Sequence, residues 1–183
     1  TNGGAGTMEE VGDNPMNANT IYCGDNLEVL PKYIPDESVD LIYIDPPFNS
    51  SRNYEVFWGE AQERRAFDDR FGDAMSYLDW MRPRIREFHR VLKPTGTFYY
   101  HCDWHASHYI KVELDRIFGY DMFKNEIIWH YGAGGTSPHH WARKHDSILY
   151  YTRSDKWVFN VDAVREPYDS PEKVEHKIIG DKA

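Results

Sequence analysis

The amino-acid sequence predicts an α/β protein: a partial Rossmann-like, doubly wound, mostly parallel sheet with an antiparallel hairpin toward the C-terminus. First, Val39–Ile44 is an apolar run interrupted only by Asp40, which is typical of a buried parallel strand. Second, strand and helix patterns alternate along residues 21–118, as they do in doubly wound sheets. Third, two strand patterns within residues 126–153 follow one another without a helical pattern between them, which predicts the hairpin.

The spacing of apolar residues predicts the individual elements. Apolar side chains recur at three- and four-residue spacing over residues 75–91, which predicts an amphipathic helix of about five turns that ends before Pro94. A second helix is predicted over residues 105–118, with Asp103 as its candidate cap. The other predicted elements are strands at residues 21–23, 97–100, 126–131 and 147–153, and a short helix after Asn26.

Length and composition bound the kind of protein. The 183 residues are enough for one domain with a sizeable core, and 40% of them are hydrophobic. We expect a disordered arm at residues 1–20, the main folded part at 21–160 and a linker at 161–183. No apolar stretch is long enough to span a membrane, and two cysteines fit a reducing compartment. The net charge of −9 counts against DNA binding unless basic residues are concentrated locally or supplied by another chain.

Candidate chemistry concentrates directly after the 39–44 strand, in Asp45-Pro46-Pro47-Phe48. Two successive prolines end a strand and fix these residues at its carboxyl edge, where open α/β sheets bind ligands. Phe48 can stack on a flat ring, while the Asp45 carboxylate and the Pro46 carbonyl can each accept one N–H of an amino group on that ring. Such acceptors draw the nitrogen lone pair out of conjugation and prepare it to attack an electrophile. The plainer alternative is that the prolines only form a turn.

These four residues resemble motif IV of the DNA amino-methyltransferases, whose pattern is D/N/S-P-P-Y/F/W. GDNLEVL at residues 24–30, DPPFNSSRNY at 45–54, VLKPTGTFYYHCD at 91–103 and NEIIWHY at 125–131 also look like this family and occur in its order. The resemblance implies methyl transfer from S-adenosylmethionine to the exocyclic amino group of a flipped DNA base. An initial Asp is commoner in the family's adenine-N6 enzymes than in its cytosine-N4 enzymes. The resemblance also implies a role in restriction–modification in a bacterial, archaeal or phage-like cytoplasm, with residues 21–160 as the catalytic half.

The resemblance assigns further roles. Asp25 and Asn26, after the predicted 21–23 strand, correspond to cofactor contacts together with Asp45 and Pro46; the alternative for Asp25 is a helix N-cap. A polar and aromatic loop at residues 49–59 and a basic, glycine-hinged loop at 132–146 suit contacts with DNA, and residues 60–73 read as an acidic surface segment. As alternatives, the first loop could pack on its own sheet, and the aromatic residues before the second could be ordinary core residues. The candidate DNA-binding residues are Asn49, Arg52, Tyr54, Trp129, Tyr131, Arg143 and Lys144.

Two other patterns are weaker. His101-Cys102-Asp103 offers three metal-ligating side chains, but neighbours on one strand cannot all face one ion, so we predict no metal site. The sequence GAGG at residues 132–135 imitates a dinucleotide-binding loop, yet Pro138 stands where that fingerprint needs a helix.

The family's cofactor loop resembles D-P-F-x-G-x-G, and this pattern does not occur in the 183 residues. We therefore expect that a second chain or a further segment carries the glycine loop, or that the chain self-associates through an open sheet edge. Two other classes of function stay open. One is a DNA-binding or assembly subunit without catalysis, and the other is a methyltransferase acting on cytosine N4 or on an amide. The basic loop favours DNA, whereas the net charge of −9 favours another substrate.

Overall fold

The computed structural model describes residues 19–47, 53–58, 63–68, 73–132 and 138–165, with the backbone alone for 53–58 and 63–68. The helices in this part of the chain are α1 (Asn26–Tyr33), α2 (Ala74–Val91) and α3 (Ser107–Phe118). The strands are β1 (Val39–Ile44), β2 (Asn53–Trp58), β3 (Glu63–Asp68), β4 (Leu92–Cys102), β5 (Phe123–His130) and β6 (His145–Thr152). Short 3₁₀ helices, Tyr120–Met122 and Val161–Val164, follow α3 and β6.

Four strands form one sheet in the order β1-β4-β6-β5. β1 and β4 are parallel, with Tyr43 opposite Tyr99, and α2 lies in the crossover between them. β6 pairs antiparallel with both β4 and β5. The predicted Rossmann-like α/β class is confirmed, and the β5–β6 hairpin lies where the sequence patterns placed it. The carboxyl ends of β1, β4 and β5 meet the start of β6 at one edge of this sheet.

Helix α2 shows how the sequence forms its elements. The Asp73 side chain caps the first turn by accepting the backbone N–H of Ser76 at 2.7 Å. Apolar residues at three- and four-residue spacing form the buried face, and the helix ends at Val91, shortly before Pro94. The helix predicted over residues 75–91 is therefore confirmed, with its start one residue earlier. Its buried residues are Tyr77, Leu78, Met81, Arg84, Ile85, Phe88 and Val91.

The core lies between the sheet and helices α2 and α3. Phe98 of β4 lies 5.9 Å from Phe88 of α2 and 5.1 Å from Phe118 of α3, measured between ring centroids. A hydrogen bond of 2.7 Å joins the buried hydroxyls of Tyr77 and Tyr100, so both polar groups are satisfied inside the core. This packing fixes β4 beside β1 and so holds the carboxyl edge of the sheet in place.

The other face of the sheet carries apolar side chains that α2 and α3 do not cover. Leu41 and Tyr43 of β1, and Ile127 and Trp129 of β5, are exposed. The strand register puts all four on the side of the sheet away from Phe98. Helices α2 and α3 pack on the Phe98 side, whereas on the other side Phe159, after β6, stacks on Tyr150.

The strand predicted at residues 21–23 is not formed. β1 is the outermost strand of its sheet, and none of the described residues pairs with its free edge. Three residues without a ladder partner gain no strand hydrogen bonds. Tyr22 instead stacks on Tyr33 of α1, with 5.1 Å between the ring centroids.

Within the predicted loop at residues 49–59 and surface segment at 60–73, the structure describes two strands, β2 and β3. β2 and β3 pair antiparallel, with Tyr54 opposite Phe67 and Trp58 opposite Glu63. Aromatic and β-branched residues in β2 favour a strand once a partner strand exists. The partner, β3, was not predicted because its segment carries many charged residues, which are not typical of a strand. The Asp103 side chain, the predicted cap, accepts the backbone N–H of His105 at 2.9 Å in the turn before α3, whereas α3 itself begins at Ser107 without a side-chain cap.

The terminal predictions are little tested. The arm at residues 1–20 lies outside the described residues except for its last two, and the linker at 161–183 is described only to residue 165. Of the described helices, none combines the length and the apolar composition that crossing a membrane requires.

His89 makes the stability of this fold depend on pH. It lies near the end of α2 with its ring against the edge of Phe118, 4.9 Å between centroids. Burial, and then the charge of Arg153, lower the pKa of His89 from its ordinary 6.5 to about 4. Between these two values the unfolded chain binds more protons than the folded one. The contribution of neutral, buried His89 to the free energy of unfolding is therefore complete above pH 6.5, and it is lost as the pH falls toward 4.

We expect the titration of His89 to lower the free energy of unfolding by about 1 kcal/mol when the pH falls from 7 to 5, after a discount for its partial exposure. The measurement is urea unfolding of the chain and of His89→Gln at both pH values. Glutamine does not titrate, so the variant should lose less stability over this interval than the wild type. Equal losses in the two proteins would show that His89 titrates alike in the folded and unfolded chains.

Candidate active site

The carboxyl end of β1 presents Asp45 as an accessible carboxylate. The strand ends at Ile44, and the half-buried Pro46 and Pro47 follow directly because neither can donate to the ladder. The Asp45 side chain is 60% exposed, so its oxygens can accept hydrogen bonds from a ligand. Phe48, which was predicted to stack on a substrate ring, lies outside the described residues.

One histidine joins the strands at this edge. Nδ1 of His101, near the end of β4, lies 3.0 Å from the Tyr43 hydroxyl and 3.4 Å from Oδ1 of Asp45. Nε2 of the same ring lies 3.3 Å from Oδ2 of Asp146, near the start of β6. The Tyr131 hydroxyl donates to the other oxygen of Asp146 at 3.5 Å. The side chains of His101 and Asp146 are only 18% and 19% exposed, so this network is largely shielded from solvent.

Tyr43 acts as a donor in this network. Partial desolvation of the hydroxyl, and then the neighbouring carboxylates of Asp45 and Asp146, raise the pKa of Tyr43 above its ordinary value. The hydroxyl therefore keeps its proton at neutral pH, and it can donate that proton to a ring nitrogen of His101.

Among the residues predicted from sequence, His101 appears only as a metal ligand, and Asp146 is not a candidate. A signal for His101 was present, since it follows an apolar strand pattern as Asp45 does, and the ends of parallel strands share one edge. Asp146 carried no such signal, because its place opposite His101 depends on the register of the antiparallel β4–β6 pair.

The predicted cofactor contacts Asp25 and Asn26 lie at the start of α1. One Asp25 oxygen accepts the backbone N–H of Leu27 at 2.9 Å, which is the N-cap that the sequence left open as an alternative. The other oxygen pairs with Arg84 of α2 at 2.8 Å, and the Arg84 guanidinium lies over the Trp80 ring. Both oxygens of Asp25 thus have protein partners, and the carboxylate ties α1 to α2.

Asn26 fits a cofactor contact in a different way. Its Oδ1 is buried and has no hydrogen-bond partner within the described part of the chain. A buried acceptor without a donor costs free energy, and an amino or hydroxyl group of a nucleoside can supply that donor. The cofactor roles of Asp25 and Asn26 stay predictions, and the geometry favours Asn26.

The β5–β6 hairpin brings two residues that are predicted to contact the base to the same edge of the sheet as Asp45. Trp129 lies opposite Asp146 in the β5–β6 register, and Tyr131 hydrogen-bonds to Asp146. Trp129 is exposed on the open face of the sheet. The structure therefore groups the acceptor corner with an accessible aromatic ring, although their contact with a base stays a prediction.

The two predicted phosphate contacts lie at the C-terminal end of the 132–146 loop. The Arg143 guanidinium stacks on the ring of Trp104, which follows β4, with 3.7 Å to the ring centroid. Lys144 accepts the backbone N–H of Tyr131 at 3.1 Å, so the base of the loop is closed. Stacking on one face leaves the guanidinium N–H groups able to point outward in the ring plane.

The remaining predictions have less structural detail. Asn49 and Arg52 lie outside the described residues, and Tyr54 belongs to β2, where only the backbone is described. Cys102 is buried in the core, and its neighbour His101 joins the network on the other face. The described residues contain no group of three or more His, Cys, Asp or Glu that could hold a metal ion.

The sheet, its crossover and its edge define a Rossmann-like α/β protein, and a comparison with solved structures agrees. PvuII DNA methyltransferase (cytosine-N4-specific) superposes with a TM-score of 0.54 at 14% sequence identity. The match covers 87% of this chain and 62% of that one. At this identity the similarity concerns the fold alone.

Sequence comparisons establish the family. A family model described as DNA methylase, for N6 and N4 methyltransferases, matches residues 39–182. The chain therefore belongs to the S-adenosylmethionine-dependent DNA amino-methyltransferases. It is similar to type II methyltransferase M.BglII of Bacillus subtilis, 31% identical over 175 residues and 90% of this chain. It is also similar to the DNA adenine methyltransferase YhdJ of Escherichia coli, 34% identical over 149 residues and 80% of this chain. The chain spans 43% and 46% of the lengths of these two relatives.

Proposed function

We propose that this chain is the catalytic module of a DNA methyltransferase that methylates the exocyclic amino group of an extruded base, N6 of adenine. The observation that carries the proposal is Asp45, an accessible carboxylate between the end of strand β1 and two prolines, in a chain of the amino-methyltransferase family. The choice of adenine is supported by the initial Asp of the motif and by the similarity to a DNA adenine methyltransferase.

The residues after β1, Asp45 to Phe48, form a corner that would bind and activate the amino group. The Asp45 carboxylate and the Pro46 carbonyl each accept one amino N–H, which frees the nitrogen lone pair for attack. Phe48 and Trp129 are the candidates for stacking on the extruded base. Asn26, Asp45 and Pro46 are the best-placed contacts for S-adenosylmethionine, which supplies an electrophilic methyl group when bound.

We also propose that the activity needs a second chain or a further segment, or self-association. The glycine-rich D-P-F-x-G-x-G pattern does not occur in the 183 residues, and this is the first support. The second is the exposed apolar face around Leu41, Tyr43 and Trp129, beside an outer edge of β1 that no described residue pairs. We place the enzyme in the cytoplasm, where its DNA substrate lies and where the free Cys23 and Cys102 stay reduced.

The direct test is product analysis. The assembled enzyme, meaning this chain with the polypeptide that supplies the glycine loop, is incubated with DNA and methyl-labelled S-adenosylmethionine, and the DNA is digested to nucleosides. N6-methyladenine is the expected product. N4-methylcytosine would keep the chemistry and change the base. DNA binding without any methylated nucleoside would support an assembly subunit and overturn the catalytic proposal. Activity of the 183-residue monomer alone would overturn the need for a partner.

Replacing Arg143 and Lys144 with alanine should weaken DNA binding for all sequences, because phosphate contacts carry no base information. We expect the log–log salt dependence of the affinity to become shallower by about one to two units. The measurement is a fluorescence titration of the assembled enzyme at several salt concentrations. The matched control is Lys93→Ala with Lys156→Ala, which removes two charges at the opposite end of the sheet. The same slope in both double variants would remove the 132–146 loop from the interface.

A further inference from the structure

We propose that His101 is a positioning residue that takes up, through Asp45, the proton released by the methylated amino group and relays it toward Asp146. The inference rests on the proposed function, since it concerns the fate of a proton in that reaction. Its basis is that one ring lies between two carboxylates, 3.4 Å from Oδ1 of Asp45 and 3.3 Å from Oδ2 of Asp146.

We assign the ring proton of His101 to Nε2 from the partners of its two nitrogens. An ionised carboxylate only accepts hydrogen bonds, so in this assignment Nε2–H donates to Oδ2 of Asp146. The neutral imidazole then has an unprotonated Nδ1, which faces the protonated hydroxyl of Tyr43 at 3.0 Å and the Asp45 carboxylate. Asp146 therefore prepares the Asp45 side of the ring as a proton acceptor, and it would stabilise the imidazolium that forms.

The network is supported from every neighbouring strand. Tyr43 and Asp45 face His101 from β1 and its end, and Asp146 faces it from β6. Tyr131, directly after β5, donates to Oδ1 of Asp146 and so leaves Oδ2 for His101. The largely shielded positions of His101 and Asp146 strengthen these hydrogen bonds.

The amino nitrogen forms a bond to the methyl carbon, the carbon–sulfur bond of the donor breaks, and its electron pair stays on sulfur. The nitrogen, now cationic, gives one proton to Asp45. A base held against the corner would cover Asp45, so the neutral acid passes this proton to Nδ1 of His101 instead of to water. The imidazolium, paired with Asp146, later returns its extra proton to solvent.

Two variants separate a relay from simple packing. His101→Ala removes the ring, and we expect kcat of the assembled enzyme to fall by about 100-fold, the low end of what positioned proton transfer contributes. Asp146→Asn keeps the shape of the side chain but should move the ring proton of His101 from Nε2 to Nδ1. The Tyr131 hydroxyl still needs an acceptor, so the amide oxygen stays with Tyr131 and the amide nitrogen donates to Nε2. Nδ1 is then protonated, cannot accept, and kcat should fall similarly.

The assay includes readouts that a packing role would not move. Free imidazole should raise kcat of His101→Ala and leave Asp45→Ala unchanged. The Kd values for S-adenosylmethionine and DNA should stay close to those of the wild type in both variants. His108→Ala, an exposed histidine on α3, is the matched control and should keep wild-type activity. Nitrogen-15 NMR of the 183-residue chain should show His101 protonated at Nε2, and at Nδ1 in Asp146→Asn.

Three results would overturn the relay, and a fourth would overturn the proposed function as well. A wild-type kcat in Asp146→Asn, a protonated Nδ1 in the wild-type chain, or a loss in His101→Ala that imidazole does not restore would overturn the relay. A wild-type assembly that transfers no methyl group, with the expected NMR signals present, would overturn the proposed function and the relay with it. In that case the hydrogen-bond arrangement itself would still stand.

Discussion

Replacing Asp45 with alanine should lower the rate of methyl transfer by the assembled enzyme by about 10²–10³-fold, because a charge-stabilising hydrogen bond at the reacting nitrogen is lost. Asp45 lies after β1, exposed, and not in the core, so the fold should survive the change. The measurement is transfer of a labelled methyl group to DNA under single-turnover conditions. Circular dichroism of the variant should match that of the wild type.

Two companion variants sharpen the result. Asp45→Asn keeps one acceptor oxygen in place and should retain more activity than Asp45→Ala. Asp40→Ala removes a carboxylate from the same strand, where Asp40 pairs with Lys93 in solvent, and it should leave activity close to that of the wild type. If Asp45→Ala kept more than about a tenth of the activity, the residue would be structural, since the loss would fall well short of one such hydrogen bond.

Replacing Phe98 with alanine should reduce the free energy of unfolding by about 3–5 kcal/mol, the usual cost of removing a large buried aromatic side chain. Phe98 is fully buried, and its ring packs against Phe88, Tyr100 and Phe118 from three different elements. Equilibrium urea unfolding of the 183-residue chain measures the loss. The transition should move to lower urea concentration with the slope little changed.

The matched control is Tyr109→Ala on α3, where the aromatic side chain is 50% exposed. We expect this variant to lose less than about 1 kcal/mol, since surface positions away from special features contribute little. Equal losses at Phe98 and Tyr109 would contradict the described core between the sheet and the two helices.

The sequence predicts elements well where one local cause dominates. Helix α2 follows from its apolar spacing and from Pro94 beyond its end, both of which lie within the helix or next to it. Residues 21–23 fail for the opposite reason, because a strand depends on a partner that the described sheet does not provide. The β2–β3 hairpin was missed since its second strand is highly charged and forms only through pairing with the first.

In the site, too, residues placed by a local cause could be predicted from sequence, and residues placed by strand pairing could not. Asp45 could be located from sequence because two prolines end its strand wherever the rest of the chain lies. The approach of His101 to Tyr43 joins residues 58 positions apart, and that of His101 to Asp146 joins residues 45 apart. These contacts require the order and the register of three strands, which spacing along the chain does not encode. For Asp25 the local alternative, a helix cap, was visible and is the one that the structure shows.

The central claim is that the amino group to be methylated binds at the corner formed by Asp45 and Pro46. The most direct test is a crystal structure of the assembled enzyme with DNA and an unreactive analogue of S-adenosylmethionine. The account predicts an extruded adenine whose N6 lies about 2.7–3.2 Å from an Asp45 oxygen and from the Pro46 carbonyl oxygen. An extruded base whose amino group binds elsewhere, with Asp45 in contact only with protein or solvent, would contradict it.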